Sequence, residues 1–129
     1  MKISTDGDTV FAFFEDGEDV INNYERLAEE CGVDNAVVLS GIGMLRDAKI
    51  GYYKKNDAGK WDYEWKVFEN EMELVSTSGN ITTGENGKRV IHLHAALAGK
   101  DHKLHGGHLG GGTVCVKNEV YLKKLQSLR

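Results

Sequence analysis

The chain has 129 residues, a formal net charge of −4, 40% hydrophobic and 28% charged side chains, and neither an apolar run at its N-terminus nor one near a membrane span. That describes one soluble-type domain large enough to bury a core without disulfides or a structural metal. It argues against a protein whose main affinity comes from neutralising phosphates, and no membrane partner is expected.

The first strand is expected over Thr9 to Glu15, with Phe11, Phe13 and Phe14 as its apolar residues. One helix follows. Asp16 is the expected N-cap, with Asp19 three residues on in the manner of a capping box. Val20, Ile21, Tyr24, Leu27, Ala28 and Cys31 recur at helical spacing and form one apolar stripe. Gly32 is a natural left-handed C-cap. The rest reads as β. Asn35 to Ser40 is a strand, Gly41-Ile42-Gly43 breaks it, and Leu45 to Tyr53 resumes. Asn56-Asp57-Ala58-Gly59 is a hairpin turn. Trp61, Tyr63, Trp65 and Val67 alternate with Asp62, Glu64 and Lys66, the pattern of a half-buried strand with core or subunit-interface packing. Met72 to Thr82 follows, with Glu71 and Glu73 on a solvated side, and Gly84 to Gly87 turns the chain. Val90 to Ala98, the turn Gly99-Lys100-Asp101, Lys103 to Leu109 and, after the glycines 110–112, Thr113 to Leu122 complete the pattern. The fold class is α+β: about seven mostly antiparallel strands with one main helix packed on the sheet.

Chemistry concentrates in one segment. All five histidines fall between His92 and His108. Side chains alternate along a strand, so His92 and His94 share one face and Leu93 takes the other. The next strand is a hairpin neighbour about 5 Å away, near enough for His108 to join them if the register is right. Gly106-Gly107 permits the close approach or bend that would aim it. Three neutral imidazoles with an open fourth position are a recognised zinc arrangement; nickel, copper or iron would also accept three nitrogens. The plain alternative is imidazoles on a half-exposed strand, bonded to backbone or water. His102 falls in the turn and His105 points away from His108, so both read as surface residues.

Other signals are structural. Gly41-x-Gly43 lacks the context of a dinucleotide or phosphate loop and reads as a bend between strands. The aromatics at 61, 63 and 65 could stack on nucleic-acid bases, but the acidic residues between them favour packing. Lys54-Lys55, Lys88-Arg89 and Lys123-Lys124 are isolated doublets. Cys31 and Cys115 show no CxxC spacing and read as buried free thiols, and the cytoplasm is the expected location.

Five segments occur in a recognisable order: Ser40-Gly41-Ile42-Gly43, Ala48-Lys49-Ile50-Gly51-Tyr52-Tyr53, Glu73 through Asn80, His92-Leu93-His94, and Gly106-Gly107-His108-Leu109. Together they resemble the PPC (plants and prokaryotes conserved) domain over nearly the whole chain. The resemblance implies a homotrimer with a mostly antiparallel sheet, and carries a three-histidine metal pattern onto His92, His94 and His108. His105 is outside that pattern. Plant members attach the domain to AT-hook segments that bind A/T-rich DNA; this chain has no proline, hence no Arg-Gly-Arg-Pro core. Stand-alone prokaryotic members are often labelled DNA-binding, a label the acidic charge does not support. Three readings follow: a homotrimer holding zinc or another divalent transition metal, or a small-molecule ligand, at the histidines; a DNA-binding or interaction module; and a metal-dependent hydrolase or lyase on a small anionic substrate. The last would need a general acid or base that the sequence does not reveal.

Overall fold

Residues 1–126 are described by a computed structural model. Seven antiparallel strands form one sheet, accompanied by one helix. In chain order they are β1 (Lys2–Asp6), β2 (Thr9–Glu15), α1 (Val20–Glu30), β3 (Ala36–Lys55), β4 (Trp61–Phe68), β5 (Met72–Thr83), β6 (Arg89–Ala98) and β7 (Leu104–Lys124). The sheet order is β1-β2-β7-β6-β5-β3-β4, and β3 also pairs with β7. The pairings β3–β5–β6–β7–β3 therefore close on themselves, and β1 and β4 are left as the edges.

The core follows the strand alternation. On β2, Val10, Ala12 and Phe14 are buried while Phe11 and Phe13 are half-buried. Helix α1 lays Val20, Tyr24, Leu27 and Ala28 on β2 and β7, with Tyr24 edge-on to Phe14 at 5.3 Å. Ile21 and Cys31 flank this stripe half-buried. The helix ends as expected: Gly32 has φ +60, and the Val33 amide donates to the Ala28 carbonyl at 2.8 Å, closing a Schellman motif.

Its start differs from the sequence expectation. Asp19, not Asp16, is the N-cap, and its Oδ1 accepts from the Asn22 amide at 2.8 Å. The Asp16 carboxylate instead accepts from the Val116 amide at 2.7 Å, where β7 bulges and Val116 has φ +61. A residue 100 positions away wins the carboxylate, which helix capping rules cannot foresee.

The glycine clusters mislead in the same way. Gly41-Ile42-Gly43 does not end a strand, and the glycines 110–112 do not separate two. Both lie inside the 20-residue β3 and the 21-residue β7. The pairing of these two strands shifts register between Gly43 and Met44 and again between Arg46 and Ile50, so bulges absorb the bends. Gly43 has φ +155, and a Cβ there would sit 2.0 Å from the Lys117 carbonyl oxygen. Strand β1 has too few apolar residues to stand out; it is held at the edge by pairing with β2.

Strand β4 is also corrected. It is an edge strand, not half-buried, and Trp61, Trp65 and Val67 are exposed. Within the single chain Trp61 and Trp65 pack into no core, while Tyr63 and Phe68 are half-buried, so of the two packings expected only that against another subunit is left for the tryptophans. Glu71 and Glu73 are exposed beside buried Met72 and Leu74, as expected. Both cysteines are free; Cys115 is buried, but Cys31 is only partly so. Among the described residues no helix is long and apolar enough to cross a membrane.

Gly43→Ala tests the β3–β7 contact. The added methyl must push the strands apart, and a loss of about 3 kcal/mol is expected in urea unfolding. A loss under about 0.5 kcal/mol would mean that the close approach is not needed.

Candidate metal centre

Strand β6 places His92 and His94 on one face and buries Leu93 on the other. The β6–β7 hairpin sets His108 directly opposite His94. The three imidazoles face one another, with centroids 5.1 Å apart for His92–His94, 5.3 Å for His92–His108 and 5.7 Å for His94–His108. One ring nitrogen from each can be chosen so that all three lie within 4.8 Å of one another. Nitrogens bound tetrahedrally at about 2.0–2.1 Å from a zinc ion would be about 3.3 Å apart, so small ring rotations would bring the set to bonding geometry. The approach expected at Gly106-Gly107 is real: a Cβ would sit 2.7 Å from the Ala95 carbonyl oxygen at Gly106 and 2.6 Å from that of Gly51 at Gly107.

The remaining histidines are elsewhere. His102 is exposed in the turn with φ +65, and exposed His105 packs on Phe68 at 5.0 Å. Neither belongs to the cluster.

Burial of the His108 ring lowers its pKa below the usual 6.5, and the nearby His92 and His94 lower it further. Both causes disfavour a second ring proton. The neutral ring is the form that ligates a metal, so His108 is disposed towards that role.

Sequence reasoning missed one neighbour. The Tyr63 hydroxyl lies 3.3 Å from His108 Nδ1, and the two rings are 4.5 Å apart. Register explains the meeting: Gly51 on β3 pairs with His108 on one side and with Trp65 on the other. The alternation of β4 was legible, but its alignment across β3 was not. Beyond Tyr63 the aromatics continue along the edge, Trp65 at 4.9 Å and Tyr53 at 4.7 Å, with Trp61 stacked on Tyr53 at 5.5 Å. Tyr52, Tyr53, Tyr63 and the three histidines line a cavity of about 360 Å³, and among the described residues no carboxylate lines it. A larger cavity of about 590 Å³ lies beside Phe68, Glu71, Asp101 and His105, away from the three-imidazole cluster.

With this geometry in view, the sequence matches the Plants and Prokaryotes Conserved domain, written PCC or PPC, over residues 1–126. The chain belongs to that family. Solved structures share its fold. A plant- and prokaryote-conserved protein of Pyrococcus horikoshii is 25% identical, with a TM-score of 0.83 over 99% of this chain and 83% of that one. A metal-containing protein of Archaeoglobus fulgidus is 31% identical, with a TM-score of 0.79 over 96% and 81%. A Bacteroides thetaiotaomicron protein, provisionally called DNA-binding, superposes at 0.84 over 98% and 85%, but at 20% identity it speaks to the fold alone. No curated protein matches the chain.

The lowered His108 pKa fixes a pH dependence. The unfolded chain takes up this proton near pH 6.5, while the folded one does so at lower pH. The ring's contribution to stability is therefore complete above 6.5 and is lost as pH falls from there towards the folded pKa. NMR titration of the metal-free protein should give His108 a midpoint below 6.5, rising in His92→Ala. A midpoint at or above 6.5 would contradict the packing described.

Proposed function

We propose that this PPC domain holds one divalent transition-metal ion on His92, His94 and His108 and offers the ion's remaining position to a small ligand in the adjoining cavity. The observation that carries this reading is the convergence of three imidazoles from two neighbouring strands. Zinc suits a set of three imidazole nitrogens; nickel, copper and iron are the competitors. The description of the A. fulgidus relative as metal-containing supports the reading. A bound ion of this kind acts as a Lewis acid and makes coordinated water more acidic. Around it, Tyr52, Tyr53 and Tyr63 supply a largely apolar wall. Among the described residues no carboxylate lines the cavity, so a hydrolase or lyase reaction there would have to use a phenol or an imidazole as its general acid or base.

The assembly belongs to the same proposal. A homotrimer would cover apolar side chains that the single chain leaves exposed, such as Ile42 at 47%, Val75 at 47% and Val116 at 66%. The free thiols of Cys31 and Cys115 fit the reducing cytoplasm. DNA binding gains no support from the charge of −4. Basic doublets are also partly spoken for: Lys54 pairs with Glu64 at 2.8 Å, Arg89 with Asp34 at 3.3 Å, and Lys124 donates to the Cys31 carbonyl at 2.7 Å.

Elemental analysis of untagged protein tests the site. Near-stoichiometric zinc or another transition metal is expected, lost in His92→Ala and His94→Ala and kept in His102→Ala and His105→Ala. Equal loss in all four would defeat the strand-face argument. Light scattering should give three times the 14.3 kDa chain mass; a monomer would remove the trimer from the proposal.

A further inference from the structure

Among the described residues, Tyr63 is the side chain outside the cluster that hydrogen-bonds to one of its imidazoles. The contact is to Nδ1 of His108, at 3.3 Å, with the phenol ring lying 33° from the imidazole plane. Nδ1 is thereby engaged, and Nε2 is the nitrogen left free to ligate. A neutral imidazole that ligates through Nε2 must carry its proton on Nδ1. A phenol oxygen can accept that proton's hydrogen bond as readily as it can donate one. The partner on the second nitrogen of a ligating histidine sets both its tautomer and its ring angle.

The backbone is shaped for this contact. Gly51 lies between Tyr63 and His108 across β3, and a Cβ on it would stand 2.9 Å from Tyr63 Cδ1 and 2.8 Å from Trp65 Cζ3. With a larger residue at 51 the Tyr63 and Trp65 rings would have to shift, and the Tyr63–His108 contact with them. Tyr53, opposite Tyr63 in the β3–β4 register, touches the Tyr63 ring but forms no hydrogen bond to the cluster.

We infer that Tyr63 is a positioning residue for the metal: its hydroxyl accepts from Nδ1–H of His108 and so presents Nε2 to the ion, through a passage that Gly51 keeps open. The inference rests on the three-histidine reading above. It makes the exposed β3–β4 hairpin part of the site, because displacing β4 would turn the His108 ring.

The test uses uniformly ¹⁵N-labelled, metal-free protein, with the His108 tautomer read from long-range ¹H–¹⁵N couplings. Zn²⁺ affinity is then measured by competition with a chelator. Wild type should carry the His108 proton on Nδ1. Tyr63→Phe keeps the ring and loses the oxygen; its His108 should shift towards the Nε2–H tautomer, and Zn²⁺ affinity should fall roughly 10–100-fold. Gly51→Ala should produce the same pair of changes with the phenol intact, while Tyr121→Phe, remote from the site, should produce neither. An unchanged tautomer or an unchanged affinity in Tyr63→Phe overturns the inference. The two readings separate cleanly. If wild type takes up no Zn²⁺, the metal reading fails and the role of Tyr63 towards an ion falls with it. If wild type and Tyr63→Phe bind Zn²⁺ equally, only the inference about Tyr63 is lost.

Discussion

The antiparallel pairing of β3 with β7 is the constraint on which the rest of this molecule depends. These strands are 20 and 21 residues long, and between them they touch every other strand except β1. Their pairing closes the circuit through β5 and β6 and fixes where β7 turns back along β6. It also puts Gly51 beside His108, so that one glycine lies between the histidine cluster and the aromatic edge. The bulges matter to this arrangement. A uniform ladder of such length would twist steadily; the register shifts at Gly43–Met44 and Arg46–Ile50 let it bend sharply at chosen places.

Within that frame the histidine cluster is an electrostatic compromise. Three imidazoles with centroids under 6 Å apart could not all be protonated without repulsion, and burial adds its own penalty at His108. At His108 both effects favour the neutral ring, the form whose nitrogen lone pair ligates a metal. Exposed His92 and His94 leave the cluster open to solvent on one side, and the tyrosines line the other.

Much of this was legible in the chain. Strict alternation showed that His92 and His94 share a face, and the short turn at 99–101 implied that the strand bearing His108 pairs beside them. The apolar stripe of α1 and its Gly32 terminus were equally readable, because both depend on residues within a few positions of one another. The failures share a cause. Asp16 was assigned to the helix because a carboxylate near a helix start usually caps it, yet Val116 on β7 claims it. The glycines at 41–43 and 110–112 looked like breaks, since glycine weakens a lone strand; in this sheet they allow two backbones to approach or bend. Alternation alone could not say whether Trp61 and Trp65 pack in the core or against another subunit; the edge position of β4 removes the first within the single chain. The meeting of Tyr63 with His108 is not legible in the sequence, because it needs two registers at once, β4 on β3 and β3 on β7.

X-ray absorption spectroscopy of the protein loaded with one equivalent of Zn²⁺ tests the central claim most directly. The account predicts a shell of three imidazole nitrogens at about 2.0–2.1 Å and one further light ligand, water or a small anion, with no sulfur. A sulfur contribution near 2.3 Å, which would implicate Cys31 or Cys115, or a six-coordinate oxygen shell from surface carboxylates, would contradict it.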